Sequence, residues 1–170
     1  GGEMAAEYLI SKGHQRLAFL GDTTDLGEFA ILPITMRLLG FQKGIEKAGL
    51  SLPIDFICTS QYTVIDAERQ IEPLLTRPDR PTAIFCATDM QALGVLNKAR
   101  ALGLRIPQDL AVLGFDNLDL ADYVGLSTIH QSLDESGRLA VEILLSRIKD
   151  PERPLRHVRL PLTIIERQTT

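Results

Sequence analysis

Three polar side chains stand at the ends of two apolar runs, and this is where the sequence could do chemistry. Residues 83–86 (Ala-Ile-Phe-Cys) lead into Thr88 and Asp89, and residues 110–115 lead into Asp116. A carboxylate in such a position can accept hydrogen bonds from hydroxyl or ring N–H groups of a guest, each charge-assisted bond being worth roughly 1.5–3 kcal/mol. Asp89 is expected to act as a helix cap instead. Other chemistries find no support in the sequence. There is no G-x-S-x-G elbow, no glycine-rich phosphate loop and no Cys/His pairing. His14, His130 and His157 share no metal-ligand spacing, so neither a metal nor a cofactor is expected.

The elements that must position these groups read as strand, helix, strand over residues 82–116. Residues 83–86 form a short continuous apolar run, as in a strand buried on both faces of a parallel sheet. Leu93, Leu96 and Ala99 recur at helical spacing, Gly103 supplies a left-handed stop, and Pro107 forbids continuation. Two parallel strands joined by a helix end on one edge of the sheet, the edge where ligands bind in open α/β folds.

Elsewhere the pattern repeats. Helices are predicted over residues 3–12, 34–48, 66–75 and 133–148, with Pro73 expected to kink or shorten the third. Strands are predicted over residues 17–20, 54–59 and 126–129, with one or two more in 158–165. Residues 21–33 read as a loop at a strand's carboxyl end. The fold class is therefore α/β, with a doubly wound, mostly parallel sheet covered on both faces.

The 170 residues allow one ordinary domain, or one large domain with part of another. A net charge of -4 and a pI near 5.4 argue against a surface that holds duplex DNA. The cluster Arg147, Lys149, Arg153, Arg156 and Arg159 reads as a solvated face. Cys58 and Cys86 fall in predicted strands and read as buried thiols in a reducing, cytoplasmic setting. No signal sequence or spanning segment is recognisable, so no membrane partner is expected.

The arginine in RLLGF, the phrases ATDMQALGVL and LRIPQDLAVLGFDN, and the segment LSTIHQ together resemble the effector-binding core of LacI/GalR-type bacterial transcriptional repressors. Those cores are in turn similar to periplasmic sugar-binding proteins. The resemblance implies a periplasmic-binding-protein-like core of two subdomains joined by three crossing strands, with a small effector in the cleft between them. One subdomain would be complete, spanning residues 22–129 and 163–170, and one partial, spanning residues 1–21 and 130–162. The crossings would lie near Gly21, residues 129–131 and residues 162–164. Family members also carry an N-terminal helix-turn-helix, so the resemblance implies a piece of a longer regulator, a homodimer, whose operator DNA is held by a part outside this sequence.

It also implies site residues. Asp116 matches the family's acidic residue in GFD, and Arg37 the arginine before its Gly-aromatic pair, with a planar fork suited to vicinal hydroxyls. Tyr62 falls where an aromatic stacks on the effector, Thr88 where a hydroxyl or amide stands at a strand end, and Gln131 at a crossing. Each has a plainer reading: Arg37 could simply pair with Asp116, and Gln131 could meet backbone. Two departures stand out. Residues 21–33 are longer than the family's usual loop, and the stretch between Asp116 and Leu126 is shorter, with Gly125 where a proline often stands. The implied function is sensing of a sugar or sugar derivative that closes the cleft and modulates DNA binding of the parent. The alternative is an exported sugar-binding protein of a transport system. An enzyme is not expected.

Overall fold

The computed structural model describes residues 1–22 and 33–170, so most of the loop expected over residues 21–33 lies outside the described residues. Among these, the order is α1 (Gly2–Ser11), β1 (Leu17–Gly21), α2 (Pro33–Lys47), β2 (Ile57–Thr59), α3 (Val64–Leu75), β3 (Ala83–Cys86) and α4 (Asp89–Ala101). Then come β4 (Ala111–Asp116), α5 (Asp119–Tyr123), β5 (Ser127–His130), α6 (Leu133–Lys149) and β6 (Thr163–Ile165). The strands form one sheet in the order β2-β1-β3-β4-β5-β6, parallel except for β6, which runs antiparallel to β5. This is the α/β, doubly wound, mostly parallel architecture expected from the sequence.

The apolar runs explain the centre of the sheet. β1 and β3 are buried at every position, and β4 at all but Asp116, because helices cover both faces. On one face α3 and α4 bury Ala67, Ile71, Val95 and Leu96 against Leu20, Ile84 and Val112. On the other, α1 and α2 bury Leu9, Phe41 and Ile45 against Phe19, Phe85 and Leu113. Four rings form a connected file on this second face. Phe19 meets Phe85 edge-on at 5.7 Å, Phe41 lies 5.2 Å from Phe85, and Phe115 lies 6.3 Å from Phe85.

α1 and α2 approach too closely for larger side chains. A Cβ on Gly2 would strike the Arg37 carbonyl, and one on Gly44 would lie 2.7 Å from the Ala6 Cβ. These contacts set the height of α2, and with it Arg37, above the sheet.

Several local expectations change. Residues 54–56 form a single 3-10 turn rather than the start of a strand. The turn buries Phe56 and brings Asp55 to Arg77 at 2.6 Å, leaving Ile54 exposed. Pro73 lies in the last turn of α3, where Thr76 caps the carbonyls of Glu72 and Pro73, so the helix runs on to Leu75. The short stretch between Asp116 and Leu126 contains α5, and of residues 158–165 only β6 is a strand.

The boundary drawn at residue 21 does not divide two units. β1 pairs with both β2 and β3, and Gly21 pairs with Thr59 within this sheet instead of starting a crossing. α1 packs on the same face as α2. α6 differs. None of its residues is buried, and Val141, Leu144, Leu145 and Ile148 remain exposed.

Candidate functional site

β2 lies on one side of β1 and β3 on the other, so consecutive connections leave in opposite directions and open a crevice at the strands' carboxyl ends. β4 ends beside it in Asp116, which is paired in register with His130. α2 begins above the same edge and carries Arg37 in its second turn.

Arg37 and Asp116 meet. Their closest nitrogen and oxygen are 3.8 Å apart, and both side chains are largely buried, with 13% and 16% exposed. Arg37 also donates to the Ala87 carbonyl at 2.6 Å, just beyond β3, and its guanidinium lies 3.7 Å from the centre of the Phe115 ring. Gln131 donates its amide N–H to Asp116 Oδ1. Burial pushes the Asp116 carboxyl above its ordinary range, with Arg37 and Gln131 opposing. Burial likewise lowers the Arg37 guanidinium, opposed by Asp116 and, more weakly, by Tyr62. A guest with hydroxyls can be served from both sides here, by an acceptor on Asp116 and by donors on Arg37 and Gln131.

Tyr62 stands on the turn between β2 and α3 and is half exposed. That turn is fixed by reciprocal bonds. Thr63 accepts from the Asp66 N–H and caps α3, while Asp66 accepts from the Gln61 N–H at 2.8 Å. Thr88 lies next to Ala87, but its hydroxyl is committed. It caps α4 by accepting from the Gln91 N–H and donates to Gln91 Oε1 at 3.1 Å. The structure thus brings Arg37, Asp116 and Gln131 into contact, sets Tyr62 in electrostatic reach of Arg37, and places Thr88 at the same edge in a structural role.

The cap of α4 is a correction. Asp89, expected to cap the helix, is fully buried, accepting from the Thr128 hydroxyl at 2.6 Å and from the Leu118 N–H at 2.8 Å. Sequence reasoning also missed Gln91, whose amide donates to the carbonyls of Ser60 and Gln61 and so ties α4 to the turn that holds Tyr62. It missed the role of Asn117, which accepts from Arg167 at 3.0 Å beside the site. Asn117 follows Asp116 directly, and this adjacency was the available signal.

A cavity of about 540 Å³ opens at the opposite, amino edge of the sheet, lined by Arg16, Leu17, Phe56 and Arg77 among others. Arg77 there is already bound to Asp55 and Asp79. A second cavity of about 500 Å³ runs from Gln131 to Leu139, Ile143, Val158 and Leu162, between α6 and the segment before β6. Among the described residues no group of His, Cys, Asp and Glu is arranged to hold a metal ion. Among the described residues, likewise, no helix is long and apolar enough to cross a membrane.

Residues 6–170 match the family model of the periplasmic binding protein-like domain. The chain is 37% identical over 171 residues to the HTH-type transcriptional repressor PurR of Vibrio vulnificus, with 99% of this chain and 50% of the relative covered. It is 37% identical over 172 residues to the ribose operon repressor of Escherichia coli, with 98% and 50% covered. Among solved structures it is similar to a LacI family transcriptional regulator from Enterococcus faecium with bound ribose, at a TM-score of 0.87 and 28% identity, covering 100% of this chain and 62% of that one. The chain spans about half the length of the two repressors it matches.

Proposed function

This chain belongs to the periplasmic binding protein-like domain family of LacI-type transcriptional regulators, and on that premise we propose that it binds a small polyhydroxylated effector, a sugar or sugar derivative, at Arg37, Tyr62, Thr88, Asp116 and Gln131. The observation that carries the reading is the buried meeting of Arg37, Asp116 and Gln131 beside the crevice of the sheet. Asp116 would accept from hydroxyls, Arg37 and Gln131 would donate, and Tyr62 would lay its ring on the apolar face of the sugar. A sugar is favoured because one neighbour of near-identical fold holds ribose and one relative is a ribose operon repressor. Thr88 would contribute chiefly through its backbone position, since its hydroxyl serves α4.

In the parent regulator, residues 130–162 would belong to a second subdomain. Effector binding would close that subdomain on this one and bias the DNA affinity of a cytoplasmic homodimer, with operator contacts made outside this chain. Closure of this kind couples two sites reciprocally. The exported-transport alternative is not taken up, because the relatives reported above are repressors. No reaction is proposed. The deciding experiment is calorimetry of the chain against a panel headed by D-ribose, with Arg37→Ala and Asp116→Ala beside the unmodified protein. Binding that both substitutions greatly weaken supports the assignment, and unchanged affinity in both removes it.

A further inference from the structure

We propose that Asp89 is a positioning residue, clamping the turn after β4 so that the Asp116 carboxylate is held at the site. The inference rests on the effector-binding reading and deepens it. Asp89 has both oxygens engaged with segments distant in sequence, Oδ1 with the Thr128 hydroxyl and Oδ2 with the Leu118 N–H. Gly114 forms the floor beneath it, since a Cβ there would overlap Oδ1.

The clamped turn starts with two residues in the left-handed region, Asp116 at φ +116° and Asn117 at φ +58°. Non-glycine residues stay there only when the surroundings over-determine them. Here the surroundings are Asp89 together with the Thr128 hydroxyl, which accepts from the Asn117 N–H at 3.3 Å, and Arg167, which donates to Asn117 Oδ1. A buried carboxylate is a poor way to stabilise a helix start, and Thr88 already caps α4. What Asp89 supplies is a pair of fixed acceptors for the turn that aims Asp116.

The test compares unmodified protein with Asp89→Ala, Asp89→Asn and Asp116→Ala, using amide exchange by NMR and calorimetry with D-ribose as probe. In Asp89→Ala the Leu118 amide should exchange about tenfold faster or more, while amides within α4 and β3 keep their protection. Ribose affinity should fall about tenfold or more in the same variant. Asp89→Asn keeps an oxygen acceptor for Leu118 and an N–H₂ that can donate to Thr128, so it should restore both properties to within about threefold. Asp116→Ala should lose ribose binding with Leu118 still protected. Unchanged exchange at Leu118 in Asp89→Ala, or loss of protection spread evenly through α4 and β3, overturns the clamp. Should the unmodified protein take up no sugar of the panel, the sugar reading fails, and exchange at Leu118 still decides the role of Asp89.

Discussion

The guanidinium of Arg37 lies over the ring of Phe115, 3.7 Å from its centre, and that ring in turn lies 6.3 Å from the buried ring of Phe85. The cation at the site is therefore not a loose surface side chain. It is held by an aromatic face, by the Ala87 carbonyl and by Asp116, three groups on β4 or just beyond its neighbour β3.

Replacing Arg37 by alanine should cost the fold about 1–2 kcal/mol, from the lost stacking and the lost bond to Ala87. Urea unfolding measures this. Effector affinity should fall further, by about 10- to 150-fold, the range that corresponds to a charge-assisted bond of roughly 1.5–3 kcal/mol. Arg37→Lys keeps the charge but loses the planar fork, so calorimetry should place it nearer the alanine variant than the unmodified protein.

Gly44→Ala tests whether the α1–α2 contact sets the site. The new methyl would sit 2.7 Å from the Ala6 Cβ and 3.1 Å from the Glu3 carbonyl oxygen, so the helices must separate. Overpacking of this kind should cost about 1–3 kcal/mol in urea unfolding. Because Arg37 rides on α2, ribose affinity should drop as well, although Gly44 is two turns away from the site.

Burial raises the Asp89 carboxyl to about 6, with Asp116 adding to the rise and the bonds from Thr128 and Leu118 resisting it. A folded-state value above the unfolded one means that the native protein binds the proton more tightly. The contribution of Asp89 to stability is thus fully present below about pH 4 and is lost as pH rises through about 6. It amounts to about 3 kcal/mol as an order of magnitude, from about two pKa units at 1.36 kcal/mol each. Asp89→Asn removes this dependence. Subtracting its urea stability from that of the unmodified protein across pH 4–7 should give a difference that declines as pH rises.

α6 offers a contrast. Leu144→Glu and Ile148→Glu lie on a helix with no buried residue, so in this chain each should change stability by less than about 0.5 kcal/mol. Light scattering should show less self-association in both variants, because each breaks up an exposed run of apolar side chains.

The strands at the centre of the sheet were readable because burial on both faces leaves no room for polar residues. Ala83–Cys86 could be little else, and Gly103 ended α4 where expected, at φ +73°. What could not be read was decided by contacts between distant segments. Thr88 and Asp89 are both good caps, and nothing local says which one turns inward. The choice is made by Leu118 and Thr128, 29 and 39 residues away. The boundary at residue 21 failed for a similar reason, since an apolar strand does not announce its neighbours. Nothing local marks Gln91, yet it is buried, with its amide donating to two carbonyls of another turn. At the site, the pairing of Arg37 with Asp116 is the plainer of the two readings the sequence offered for the arginine, while the stacking on Phe115 had no local signal.

The file of rings from Phe19 to Phe115 ends at the Arg37 guanidinium, so the cation inherits the rigidity of the hydrophobic interior. On the proposed reading, a guest arriving there would find a preformed anchor and lose little entropy in ordering it. On that reading, retuning this chain towards a different guest would be easier through the half-exposed ring of Tyr62 than through the arginine, which Phe115, the Ala87 carbonyl and Asp116 already hold in place.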